Sequence, residues 1–206
     1  MASRTDARNT SDAQSVTTAT EYVLLERLER CDLASPTGGG DYPRHNGVND
    51  LQGLAARMSW GEYIRAVFCV ELVQGPRWIT PALPGQPHNL IFPDSAGRTV
   101  YVITAFNPAG KAAPDEANAV AHQQLTTRLQ EMGATYLAAA GGNPEWTHVE
   151  PSLAVIGMSE EDARALGREF GQDAIFGWSP TTLTVLSCDT DKVHMTGWDV
   201  LGDPVE

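Results

Sequence analysis

Residues 99–106, TVYVITAF, are apolar at nearly every position, so a strand built from them has two faces to bury. Val, Ile, Thr, Tyr and Phe also suit a pleated surface. The stretch therefore reads as a central strand. Asn107-Pro108 stops it with a side-chain amide that favours turns and a ring that lacks the N–H a ladder needs.

Further elements follow on both sides of it. Residues 63–72 alternate, with Tyr63, Arg65, Val67, Cys69 and Glu71 against Ile64, Ala66, Phe68, Val70 and Leu72, which predicts a strand. Residues 77–97 carry four prolines and read as loop, with Trp78-Ile79 as a short edge strand. A helix is expected from about Pro114 to Met132: proline suits its first turn, and Ala121, Leu125, Leu129 and Met132 form one stripe. Gly133 ends it. TYLAAAG and PSLAVIG read as strands. A second helix over 159–171 opens on Ser159 and Asp162 and buries Ala163, Leu166 and Phe170. DAIFGW and TTLTVLSC then form a hairpin-like pair, and the chain from Asp189 onward is acidic and weakly patterned. Upstream, residues 1–19 have the composition of a disordered tail. Residues 20–34 read as an amphipathic N-terminal helix with Leu24, Leu25, Leu28 and Cys31 on one side, and 35–57 as a Gly/Pro-rich flexible linker. The expected architecture is an α+β fold. It is a single globular domain over 58–206 with a mostly antiparallel sheet, two main helices packed on it, and the N-terminal helix and tail in front.

Composition narrows the function classes. A chain of 206 residues can bury roughly 70% of its unfolded surface without a disulfide or metal staple. The three cysteines show no Cys-x-x-Cys spacing, so reduced thiols in a cytoplasmic protein are expected and no zinc site or other metal is suggested. No apolar run is long enough to span a bilayer, and the N-terminus has no signal-peptide core. Of the net charge of −12, residues 111–206 hold most, with 5 basic and 15 acidic side chains. Such a half repels phosphate backbones, which disfavours nucleic acid as a partner and leaves a basic protein as a candidate. Neither glycine-rich stretch, PTGGGD nor AAGGN, matches a phosphate-binding pattern, and no cofactor is called for.

The segments ITAFNPAGKAAPDEAN and W…EPSLAVIGMSEEDARALGREFGQDAIFGW resemble a bacterial family known as domain of unknown function 3293. The likeness covers roughly residues 100–188 and rests on Asn107-Pro108, Asn118, Trp146, Glu150-Pro151-Ser152 and Phe170-Gly171-Gln172 in that order. It implies a shared fold and carries no activity with it. In the family the Trp stands close to the Glu, whereas here Thr147, His148 and Val149 separate them.

These residues also supply the candidate site. Asn107 ends one strand, Glu150 and Ser152 begin another, Gln172 begins a third, and Asn118 sits on the inner side of the first helix. Asn107, Asn118, Trp146, Ser152 and Gln172 are thus candidate ligand-binding residues. Glu150 is the candidate catalytic acid or base if burial near Trp146 raises its pKa. The competing reading is a structural network in which the amides satisfy turn and helix-start backbone groups. His148 shares a strand face with Glu150 but reads as solvent-facing. His122 lacks the further ligands a metal needs, and Ser152 lacks a nucleophile-elbow context. Two functions remain: a pocket that binds, and acts on if Glu150 is catalytic, a small polar molecule bearing a base or amide group, or a protein-interaction module using the acidic half or the N-terminal helix.

Overall fold

The computed structural model describes residues 59–84, 92–94 and 96–201. The tail expected over 1–19, the helix over 20–34 and the linker over 35–57 lie outside the described residues. In chain order the elements are helix α1 (Trp60–Arg65), strands β1 (Val67–Leu72), β2 (Gly75–Ala82) and β3 (Val100–Thr104), a 3₁₀ turn (Pro108–Gly110) and helix α2 (Asp115–Glu131). Strands β4 (Thr135–Gly142) and β5 (Val149–Ile156), helix α3 (Glu160–Glu169), and strands β6 (Ala174–Trp178), β7 (Leu183–Ser187) and β8 (Val193–Leu201) complete it. Among the described residues no helix is long and apolar enough to cross a membrane.

The strands close into an eight-stranded antiparallel barrel in the order β1-β2-β8-β7-β6-β3-β5-β4. This corrects the expected α+β sheet with two main helices packed on it. β8, and all of β2 except Trp78-Ile79, which were expected only as a short edge strand, are hidden from pattern reading and make the difference. β8 lies in the stretch read as a weakly patterned tail, and β2 in the proline-bearing loop. The register explains how β2 tolerates its prolines. β1 pairs with residues 75–79 and β8 with residues 78–82, so only Trp78 and Ile79 have partners on both sides. Pro76 and Pro81 fall where β2 has one neighbour, so their missing N–H groups need not break either ladder. With β2 and β8 in place the sheet has no free edge.

A second correction concerns residues 60–65, which form α1 and not the start of a strand. The Glu62 carboxylate accepts from the Ser59 backbone N–H, satisfying a donor at the helix start and holding that carboxyl below its ordinary pKa. α1 lies over one end of the barrel. There the Lys192 ammonium, in the β7–β8 turn, stands 4.3 Å from the centroid of the Trp60 ring.

Strand alternation now builds two cores. Val100 and Val102 face the barrel interior with Phe68, Val70, Ile79, Ala154, Trp178 and Trp198. Tyr101 and Ile103 face outward and, with Leu153, Val155 and Ile175, pack under Leu125 and Leu129 of α2 and Ala163 and Leu166 of α3. This double burial is why residues 99–106 are apolar at both parities. Each fully buried leucine in the outer core contributes about 1.5–3 kcal/mol. α3 is further fixed by Arg164, which donates to the backbone carbonyls of Ser187 and Thr190, and by Arg168, which donates to that of Cys188.

Candidate functional site

The loop after β3 is held in an unusual backbone path. Asn107 (φ 48°, ψ 58°) and Ala109 (φ 57°) both occupy the left-handed region, which asparagine tolerates better than most residues. Its side chain secures the turn. Asn107 Oδ1 accepts from the Ala113 N–H at 3.0 Å and from Asn118 Nδ2 at 3.1 Å. Asn118, buried in the first turn of α2, returns the contact by accepting the Asn107 backbone N–H on Oδ1 at 2.9 Å. Its Nδ2 also reaches the Ala113 carbonyl at 3.3 Å. The two amides therefore clamp the β3–α2 connection onto the start of α2.

From this clamp a contact runs toward the barrel. Asn107 Nδ2 donates to Glu150 Oε1 at 2.7 Å, and His148 Nε2 lies 3.2 Å from the same oxygen. The Glu150 side chain is 16% exposed and the His148 side chain 53%. Among the described residues no hydrogen bond reaches Glu150 Oε2. Pairing with Gly141 across β4–β5 puts Glu150 at the barrel end, in phase with the inward-facing Ser152 and Ala154. Ser152 is buried and spends its hydroxyl on the Glu150 carbonyl at 3.0 Å. Thr104, paired with Ser152, donates to the Pro151 carbonyl at 2.9 Å and accepts from the Phe106 N–H at 3.0 Å.

Gln172 approaches the same loop from beneath β6. Its Nε2 donates to the Phe106 carbonyl at 2.9 Å, and the Ala109 N–H donates to the neighbouring Gly171 carbonyl at 2.7 Å. A Cβ on Gly171, which has φ 69°, would stand 3.0 Å from Pro108 Cβ, so the Asn-Pro and Gly-Gln pairs fit face to face. No described residue donates to Gln172 Oε1, and none pairs with the Asp173 carboxylate.

Asn107, Asn118, Glu150, Ser152 and Gln172 thus meet at one end of the barrel. Trp146 does not join them. It adopts φ 54° in the β4–β5 connection and lies against Gly142 and the outward-facing Trp78, ring centroids 4.3 Å apart. The three residues between Trp146 and Glu150 leave room for that reversal. Sequence reasoning also passed over Tyr63. The α1 helix brings this phenol close enough to Asp173 and Glu150 that their charges add to burial in raising its pKa. The Ser-x-x-Glu capping pattern at 59–62 was the available signal. His148, expected to face solvent, stands in the turn just before β5 with its side chain 53% exposed, and its ring still reaches the Glu150 carboxylate.

The arrangement is rich in acceptors: among the described residues none donates to Glu150 Oε2, Gln172 Oε1 or the Asp173 carboxylate. Such a surface suits a donor-bearing group. No group of three or more His, Cys, Asp or Glu side chains with metal-holding geometry occurs among the described residues. A separate open groove of about 420 Å³ runs between α2 and α3 on the outer wall, lined by Gln123, Thr127, Arg128, Glu169 and Phe170 among others. Of the family-like motif residues it includes only Phe170.

Comparison with curated proteins and with solved structures finds no match. Residues 103–175, from the end of β3 through α2, β4, β5 and α3 into β6, match the model of the family described as protein of unknown function (DUF3293), the family that the motifs resemble.

Proposed function

We propose that the barrel end bearing Glu150 binds a small polar molecule through that molecule's hydrogen-bond donors, such as an amide or a nitrogen base. One observation carries this reading. Glu150 is mostly buried and has one oxygen engaged by Asn107 and His148, while the other is left for an incoming donor. A charge-assisted hydrogen bond to a buried carboxylate is worth more than a neutral one, so a single such contact can set orientation. Tyr63 and His148 flank the carboxylate and would confine the ligand. Should Glu150 act chemically, His148 is the group placed to exchange a proton with it. The test is a thermal-shift screen of the full chain against small amides, amines and heterocyclic bases, repeated on Glu150→Gln. At least one compound should raise the wild-type melting temperature and leave the variant unmoved. No response, or the same response in both, would remove the reading.

A second reading is docking of a basic protein partner. It draws on the exposed carboxylates of Asp115 and Glu116 at the start of α2 and of Glu160, Glu161 and Asp162 at the start of α3. A complex formed this way weakens with added salt and with charge-neutralising substitutions at these positions.

A further inference from the structure

The opposite end of the barrel interior holds donors where the Glu150 end holds acceptors. Arg77 pairs with Val70 across β1–β2, and because Val70 is fully buried in the interior core, Arg77 points inward too. Its Nε is buried and has no hydrogen-bond partner. Among the described residues its one side-chain hydrogen bond is from Nη1 to the Pro76 carbonyl at 3.0 Å. The nearest carboxylate in sequence, Glu71, pairs with Pro76 in the opposite phase of the strand and so faces the outer side of the wall, where its Oε2 is itself buried without a partner. A second donor faces the same interior. Trp178 is 0% exposed, packs against Phe68, Phe92 and Trp198, and leaves Nε1 without a partner. By contrast the Trp198 indole donates to the Ser179 carbonyl at 2.9 Å.

Buried donors are ordinarily satisfied, and although Arg77 as a whole is half-buried, a buried guanidinium nitrogen with no partner is costly. Leu72, Val100 and Ile156 surround this end of the barrel with apolar side chains, which strengthens any electrostatic contact made there. We propose that the Arg77 end of the barrel interior is an anion site, taking a carboxylate or phosphate group on the guanidinium fork with the Trp178 indole as a further donor. The site is distinct from the one built on Glu150, and the two stand or fall separately.

The test uses the full chain, ¹⁵N-labelled, titrated with inorganic phosphate and separately with acetate at constant ionic strength. The Arg77 Nε–H and Trp178 Nε1–H resonances should shift together and saturate. A response to phosphate alone assigns a phosphoryl ligand, and one to acetate alone a carboxylate. Because the readout is on the wild-type protein, it does not depend on a variant folding. Arg77→Lys, which keeps the charge but loses the fork, should weaken binding at least tenfold. The proposal is overturned if either resonance stays fixed in large anion excess, or if Arg77→Lys binds as tightly as wild type.

Discussion

Asn107→Ala would remove both acceptances by Oδ1 and the donation of Nδ2 to Glu150. A neutral hydrogen bond contributes about 1 kcal/mol net and one to a charged group about 1.5–3. Alanine in the left-handed region at φ 48° adds roughly 1 kcal/mol of backbone strain. Asn107 is only half-buried, so water recovers part of the lost bonding and the expected total is about 3 kcal/mol. For a folded unit of this size that is a fall of roughly 6–12 °C in melting temperature. Asn107→Gly makes the natural companion, since it loses the same side chain without the strain and should recover about 1 kcal/mol. Urea and thermal unfolding of the three proteins measure both differences. If Asn107→Ala melts within about 2 °C of wild type, the amide clamp does not hold this loop.

Other consequences are equally direct. The Arg98 guanidinium and then the Ala96 backbone N–H hold the Asp94 carboxyl below its ordinary pKa. A depressed carboxyl stabilises the fold above its unfolded pKa and loses that contribution as pH falls through its folded one. Asp94→Asn should therefore melt lower than wild type at neutral pH, with the gap closing in strong acid, and a gap that persists there refutes the linkage. A Cβ on Gly167 would stand 2.5 Å from Cys188 Sγ and 2.9 Å from Ile175 Cγ2, so Gly167→Ala should cost about 1–2 kcal/mol after its gain in helix propensity. Gly133, at φ 63° with open space around it, should cost only about 1 kcal/mol on change to Ala, from strain alone. Refilling by Gly167→Ala is harmless only if the contact with Cys188 relaxes, which denaturation curves of the two variants would reveal. Burial, aided by the Asp189 charge, pushes the Cys188 thiol up to about 12, so iodoacetamide at mildly alkaline pH should label Cys188 only after unfolding. Peptide mapping that finds the label in the native protein contradicts this.

The legible parts of the chain were those with a single strong period. The expected helices over 114–132 and 159–171 correspond to α2 and α3, where Leu125 and Leu129, and Ala163 and Leu166, are buried as their spacing suggests, although Met132, read onto the first stripe, is exposed. Ser159 caps α3 as its sequence suggests, accepting from the Asp162 N–H at 3.1 Å. β8, and β2 beyond Trp78-Ile79, were illegible for a physical reason. A proline is read as a strand breaker, yet it does little harm where a strand has one neighbour, and strand overlap is a property of the pairing. β8 carries Thr196, Gly197 and Asp199 among its apolar residues, and although β7 is its neighbour in the chain, its other partner, β2, lies far back in the sequence. Missing β8 and most of β2 hid the closure, and with it the inward direction of Arg77 and Glu150. At the candidate site, strand ends and helix phase brought Asn107, Asn118 and Glu150 to one place, whereas the left-handed turn at Trp146 has no mark in the sequence.

The segment matched by the family model holds β4 and β5 whole but only the last two residues of β3 and the first two of β6, and the pairs that join β3 to β6 lie outside it. Cut free, it would be a ribbon built on the β4–β5 pair with bare hydrogen-bonding rims on both sides, and its inner apolar lining would stand open to water. A fragment trimmed to the matched residues would thus be driven to zip onto its own copies, and intact folding depends on staves that the shared segment does not contain.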